Sequence, residues 1–160
     1  MISGRLRRVL TILFTTAWTS YCPTSVLAQE AAIAASLSKF THALVERQRG
    51  VDILEHPPSE RCIGAFCTSD ASDFTTGIRH LEVALQHAEQ LDARVLDSLY
   101  HGWGEAFDSK FRSGLRLMLS SFKTDAGRGA GQDAWIRGQS LLNEWAHWYN
   151  VHSARIRRSR

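Results

Sequence analysis

Residues 107–122 read FDSKFRSGLRLMLSSF, a stretch in which large apolar side chains recur every three or four positions. These positions are Phe107, Phe111, Leu115, Met118 and Phe122. Such spacing places the side chains on one face of an α-helix, because about 3.6 residues complete a helical turn. A helix with one apolar face buries that face against another element, so the stretch predicts a helix packed in a core.

Three other segments show the same spacing and are predicted to be helices, at about 30–49, 72–91 and 132–156. The opening stretch belongs to a further helical segment, which is expected to break or kink at Gly102 and Gly104. The chain contains only 3 prolines, which argues against an all-β sandwich. These features predict an all-α fold, an antiparallel bundle of about four helices.

Gly50 is expected to be the C-cap of the first helix. An irregular stretch is predicted for the residues that follow, 51–69, and it contains Cys62 and Cys67. Cys22, the third cysteine, lies in the N-terminal segment that is expected to be removed on export. The two cysteines that remain in the exported chain indicate a disulfide. A bridge across so short a loop contributes about 2 kcal/mol. Redox motifs favour C-x-x-C and a zinc site needs two further ligands, so we expect a structural bridge.

Residues 1–28 have the features of a cleaved secretory signal peptide. Three arginines within residues 5–8 precede an apolar run at 9–17, and Val26-Leu27-Ala28 precedes the expected cleavage point. A membrane anchor would need about 20 apolar residues, and the neighbours of Cys22 fit lipoprotein processing poorly. The mature chain is therefore expected to be soluble, without an integral membrane span, in the periplasm or outside the cell.

The 160 residues are enough for one domain, expected at residues 29–156 and followed by a basic tail at 157–160. The formal net charge of +3 comes from the signal peptide. Its removal takes away three arginines and no acidic residue, which leaves 16 of the 19 basic residues beside all 16 acidic ones. A mature chain without net charge gives no reason to expect nucleic-acid binding.

Histidines offer the alternative of a haem, metal or small-ligand site. His80 and His87 lie two turns apart on the second helix, and His147 follows Glu144 at the Glu-x-x-His spacing of di-iron bundles. That motif occurs once where di-iron sites need it twice, and the haem attachment sequence C-x-x-C-H does not occur. We therefore expect no cofactor, with His80, His87 and His147 as the ligands of the alternative.

Recognisable catalytic motifs are missing from the sequence. It contains no G-x-S-x-G, and the glycines within residues 127–131 lack the strand and the spacing of a phosphate-binding loop. Asp92 and Asp97 are spaced like surface charges of a helix rather than like a catalytic acid and base. The chain is expected not to be an enzyme; an envelope-acting enzyme with a site built from scattered residues is the alternative.

The last predicted helix carries the candidate binding residues. Its aromatic side chains cannot all face the core from one side of the helix. At least one is therefore expected at the surface, where large aromatic residues often anchor partners. Its terminal arginines suit a helix C-terminus and can contact anionic lipid, an anionic polymer or an acidic partner. In the alternative, the aromatics fill the end of the bundle and the arginines form a solvated tail. The candidates are Trp145, Trp148, Tyr149, Arg155, Arg157 and Arg158.

The function predicted from these features is binding of another protein by an exported, disulfide-linked helical protein. The expected partner is a protein of the cell envelope, and the role is that of an inhibitor or immunity-type protein or of an accessory factor.

Overall fold

The computed structural model describes residues 24–63, 66–123 and 128–158. This part of the chain is mostly helical, which confirms the helical character of the predicted fold. It also contains one short β-hairpin, which was not predicted and lies within the stretch expected to be irregular. The elements are α1 (Thr24–Glu55), β1 (Arg61–Ile63), β2 (Phe66–Thr68), α2 (Ala71–Glu89), α3 (Ala93–Leu99), α4 (Trp103–Ala106), a π-helical segment (Phe107–Arg112), α5 (Ser113–Ser120) and α6 (Arg128–Arg158).

The chain divides within α1 into two compact units, Met1–Ala34 and Ala35–Arg160. Residues of the predicted signal peptide that precede Thr24 lie outside the described residues. The expected cleavage point after Ala28 falls within α1. The packing described below belongs to the second unit.

The apolar face predicted in residues 107–122 lies in the core. Phe107, Phe111, Leu115 and Met118 are each at most 1% exposed, and Phe122 is half-buried and packs against the core. Burial of each such side chain contributes about 1.5–3 kcal/mol. The other large side chains with less than 2% exposure are Trp103, Leu81, Leu96, Leu142 and Ile156.

Within the second unit, α1 and α2 run antiparallel. Lys39 Nζ donates a hydrogen bond to the Gln90 carbonyl at 3.2 Å. Farther along α1, Glu46 Oε2 lies 2.5 Å from Nδ1 of His80, which precedes Gln90 in the sequence. Contacts therefore move backward along α2 as they move forward along α1.

The segment from Phe107 to Ser120 runs antiparallel to α6. Lys110 Nζ lies 2.5 Å from Glu144 Oε2, while Gly114 faces Gly138 closer to the start of α6. A Cβ atom at Gly114 would lie 2.9 Å from the Gly138 carbonyl oxygen. The two backbones thus approach closely because neither position carries a side chain.

The predicted end of the first helix at Gly50 is wrong. α1 continues to Glu55, two residues before Pro57. Gly50 is buried, and a Cβ atom there would lie 2.9 Å from the carbonyl oxygen of Gly77 on α2. This glycine permits a close helix contact instead of a C-cap, so the irregular stretch expected at 51–69 is shorter than predicted.

The predicted disulfide between Cys62 and Cys67 is confirmed, and it joins directly paired residues of β1 and β2. Hydrogen bonds of Ser59 connect the segment that precedes this hairpin to the start of α2. Ser59 donates to Asp73 Oδ2 from its backbone nitrogen at 2.9 Å and from its hydroxyl. The Ser59 hydroxyl accepts from the backbone nitrogen of Asp70 at 2.7 Å.

The expected break near Gly102 and Gly104 is present between α3 and α4. Gly102 has a φ of 81°, a left-handed conformation that favours glycine. The Gly104 N–H donates to Asp97 Oδ1 at 2.8 Å. A Cβ atom at Gly104 would lie 2.1 Å from the carbonyl oxygen of Ala93, so α4 passes α3 closely only because this position is a glycine.

The last helix, α6 (Arg128–Arg158), is longer than the predicted range 132–156. Its first turn includes Gly129 and Gly131 of the predicted glycine-rich turn, whereas residues 124–127 lie outside the described residues. Its last turn includes the first two residues of the predicted basic tail.

Candidate functional site

A groove of about 540 Å³ runs along the outward face of α6. Six of its lining residues come from α6, and Lys110 comes from the π-helical segment. The lining consists of Lys110, Asn143, Glu144, His147, Trp148, Val151 and His152. We call this surface the α6 groove.

Opposite faces of α6 meet different surroundings. Leu142, Trp145 and Ile156 are between 0% and 3% exposed and anchor the helix in the core. On the groove side, Val151 is 60% exposed and Trp148 is half-buried. A tryptophan and a valine at the surface give the groove an apolar centre, and such surfaces on soluble proteins often bind partners.

Trp148 is held in place by aromatic neighbours. Its ring stacks on Trp145 at 5.8 Å between centroids and lies 4.6 Å from the His152 ring. His152 is itself fixed, because its Nδ1 lies 2.8 Å from the hydroxyl of Tyr100 at the break between α3 and α4. The indole is therefore oriented before anything binds to the groove.

An ion pair between Lys110 and Glu144 lines the end of the α6 groove closest to the start of α6. Lys110 reaches the groove from the π-helical segment, in which Phe107 and Phe111 face the core and stack on each other at 5.0 Å. The extra residue per turn of a π-helix changes which side chains share a face, and such segments are frequent at functional sites. Here the segment places one cation beside the groove.

The other end of the groove leads to Arg155, Arg157 and Arg158 in the last turn of α6. All three side chains are exposed. No carboxylate forms an ion pair with any of them in the part of the chain that the structure describes. Their positive charges are thus free to meet an acidic partner, apart from the favourable effect they have on the helix dipole.

Of the three predicted aromatic candidates, Trp148 alone lines the α6 groove. Trp145 is 3% exposed and packs against Phe40, Phe107 and Phe111, at centroid distances of 5.6 to 6.0 Å. Its proposed contact with a partner is therefore corrected, because the core covers its ring.

Tyr149 is half-buried and faces α1 instead of the groove. Together with Arg47 it lines a cavity of about 180 Å³ between α1 and α6. The Nε atom of Arg47 is buried there without a hydrogen-bond partner among the described residues. Burial lowers the pKa of this guanidinium, although the charges of Glu55 and Asp52 act in the opposite direction.

The histidines of the alternative ligand set lie apart. His80 pairs with Glu46, His87 lies 5.3 Å from the ring of His42, and His147 lines the α6 groove. Within the described residues, the one group of three potential ligands within 4.8 Å of each other is Glu60, Cys62 and Cys67. Its two sulfur atoms are joined in the disulfide, so they offer no thiolate to a metal.

The carboxylates considered for catalysis, Asp92 and Asp97, have structural contacts, and so does Glu144 of the Glu-x-x-His motif. Asp92 caps α3 by accepting a hydrogen bond from the Arg94 backbone nitrogen at 3.0 Å, and the hydrogen bond from the Arg94 side chain lowers the pKa of Asp92. Asp97 accepts the hydrogen bond from Gly104. Glu144 pairs with Lys110 at the groove.

Tyr100, Lys110, Val151 and His152 belong to the candidate site but were not among the residues predicted for it. A sequence signal exists for Val151, which follows Trp148 by three residues on the same helical face. Tyr100 and Lys110 reach the site from parts of the chain that are distant in sequence. Local sequence patterns do not predict contacts of this kind.

Comparison of the chain with protein-family models, with curated proteins and with solved structures finds no match in any of the three. Among the helices of the described residues, none combines the length and the hydropathy that crossing a bilayer requires.

Proposed function

We propose that this chain is an exported, non-enzymatic helical protein that binds another protein at the α6 groove. The observation that carries the proposal is the pairing of an oriented Trp148 with an exposed Val151 at the centre of that groove. Binding energy at protein interfaces is concentrated in a few central residues, and tryptophan is among the most frequent of them.

The polar surroundings of Trp148 support the same function. Protein interfaces combine an apolar centre with a polar rim, and here Lys110, Glu144 and His147 surround the two apolar side chains. Because the contacts to Trp145 and His152 already restrict the indole, binding costs less side-chain entropy than it would for a freely rotating residue.

The Cys62–Cys67 disulfide supports export, since such bonds persist in oxidising compartments. We propose that residues 1–28 are removed as a signal peptide and that residues 29–156 form an antiparallel bundle of about four helices. The mature protein would act in the periplasm or outside the cell on a protein of the envelope, as an inhibitor or immunity-type protein or as an accessory factor.

Native mass spectrometry of the chain exported through its own signal and purified without reductant tests this function. We expect an oxidised chain that begins at Gln29 and carries a second protein. A bare chain that converts a substrate, at a rate abolished by one polar substitution, contradicts the proposal. A small mass that dissociates on denaturation favours the ligand-binding alternative instead.

A further inference from the structure

We propose that the α6 groove receives one amphipathic helix of the partner, with apolar residues facing Trp148 and Val151 and acidic residues facing the terminal arginines. This inference rests on the proposed function and specifies the chemistry of the partner. It is carried by the spacing, the exposure and the charge of one row of residues on α6.

The row consists of Glu144, Trp148, Val151, Arg155 and Arg158, and we call it the α6 seam. Its members alternate at intervals of four and three residues, the spacing by which one helix packs along another. At a rise of 1.5 Å per residue, the seam is about 21 Å long. That length accommodates about four turns of a partner helix, the size of a typical helix-in-groove contact.

Chemical character changes along the α6 seam. Glu144 at its start is already paired with Lys110 and adds no free charge. The centre is apolar, at Trp148 and Val151. The end carries Arg155 and Arg158, which are exposed and have no carboxylate partner among the described residues.

The free charge of the seam is therefore positive and lies at one end. A complementary helix has apolar residues at helical spacing and Asp or Glu one to two turns away, where they meet the arginines. A neutral helix would offer these guanidinium groups no carboxylate, and a basic helix would repel them. Charge complementarity thus selects an acidic helix, and it also fixes the direction in which that helix lies.

Photo-crosslinking in the cells that export the chain tests the inference. A photoreactive residue is placed at Val151 or at Arg155 of the full chain, and at Ile136 on α6 as an off-seam control, which is 53% exposed. The crosslinked peptides are then sequenced. We expect Val151 and Arg155 to capture the same protein segment, with apolar residues at helical spacing and acidic residues in the peptide captured from Arg155.

A synthetic peptide of the captured segment then provides the binding measurement. The double variant Arg155→Glu/Arg158→Glu is expected to bind it at least about tenfold more weakly. Arg79→Glu, which reverses the charge of an exposed arginine on α2 instead of α6, should leave the affinity unchanged. Higher salt should weaken the wild-type complex, whereas it should not weaken the double variant, in which salt screens a repulsion.

The other outcomes overturn the inference in distinguishable ways. Capture of a basic or neutral segment, capture of a second copy of this chain, or an affinity insensitive to the arginine reversals contradicts the acidic helix but leaves protein binding at the groove intact. Crosslinks to lipid alone, or no protein captured from either seam position, contradict the inference and the proposed function together.

Discussion

The hydroxyl of Tyr100 and Nδ1 of His152 lie 2.8 Å apart and join the break between α3 and α4 to the groove side of α6. The His152 ring contacts the indole of Trp148 at 4.6 Å between centroids. Tyr100 also contacts the Trp148 ring directly, at 6.2 Å between centroids. It is thus a positioning residue, since it holds both Trp148 and His152 and does not line the groove itself.

Tyr100→Phe tests this positioning. The variant keeps the aromatic ring and loses the hydrogen bond, which contributes about 1 kcal/mol to the free energy of unfolding. The Trp148 indole resonance in an NMR spectrum is expected to broaden or shift, and partner affinity is expected to fall. His101→Ala, which changes the exposed neighbour of Tyr100, should alter neither; an equal effect of both variants contradicts the positioning role.

Arg112 provides a stability test. Its guanidinium donates to the Ala88 carbonyl at 2.6 and 3.1 Å and to the Leu91 carbonyl at 2.8 Å, at the end of α2. Arg112→Met should lower the free energy of unfolding by about 2–3 kcal/mol, because the charged hydrogen bonds to these carbonyls and the ion pair of Arg112 with Asp108 are lost.

The matched control for Arg112 is Arg116→Met. Arg116 pairs with Glu89 at 3.2 Å, and both side chains are about half exposed. Loss of such a surface pair should change the free energy of unfolding by less than about 1 kcal/mol. Urea denaturation of the two variants measures the difference, and equal losses would show that the carbonyl contacts of Arg112 contribute little.

The contact between Gly114 and Gly138 predicts that a larger residue at either position lowers the stability of the protein. A Cβ atom at Gly138 would lie 2.6 Å from Met118 Cγ and 2.8 Å from the Gly114 carbonyl oxygen. Gly138→Ala should therefore destabilise the protein by about 1–3 kcal/mol, although alanine is the better helix former by about 1 kcal/mol. Thermal denaturation that shows a stabilised variant contradicts the close contact.

The contact between Glu46 and His80 predicts a pH dependence. The hydrogen bond with His80 lowers the pKa of Glu46 below its ordinary value of 4.5, while burial acts in the opposite direction. A carboxyl with a lowered folded-state pKa stabilises the protein above its unfolded-state pKa, and this stabilisation is lost as the pH falls through the folded-state pKa.

Wild type should therefore lose more stability than Glu46→Gln when the pH is lowered below about 4.5. Urea denaturation at a series of pH values measures this difference. Parallel pH profiles of the two proteins would show that the ionised Glu46 does not stabilise the α1–α2 contact.

The spacing of apolar residues predicted the helices well where the pattern has one structural explanation. The face formed by Phe107, Phe111 and Leu115 is buried as its spacing indicated. Gly50 shows the opposite case, because a glycine after an amphipathic run fits a helix end and a close helix contact equally well. Gly50 is in a close helix contact because it packs against Gly77, 27 positions away in the sequence. A local sequence pattern does not reveal such a long-range contact.

The candidate site was predictable only in part for the same reason. Trp145 and Trp148 are three residues apart on one helix, and spacing does not say which of them faces inward. The rotation of α6 is set by Phe40 and Phe111, which pack on Trp145 and leave Trp148 at the groove. The terminal arginines were recognisable from the sequence, but their alignment with Trp148 depended on α6 remaining helical to Arg158.

The central claim is that a protein binds at the α6 groove, and two matched variants test it most directly. Val151→Glu places a charge on a groove residue that is 60% exposed, whereas Ile136→Glu places the same charge on a 53% exposed residue elsewhere on α6. Both variants should fold, because neither side chain lies in the core.

The measurement is the amount of partner that co-purifies with each variant from the producing cells, determined by native mass spectrometry. We predict that Ile136→Glu retains the partner and that Val151→Glu loses it. Equal retention by the two variants, or loss through Ile136→Glu alone, would contradict binding at the groove.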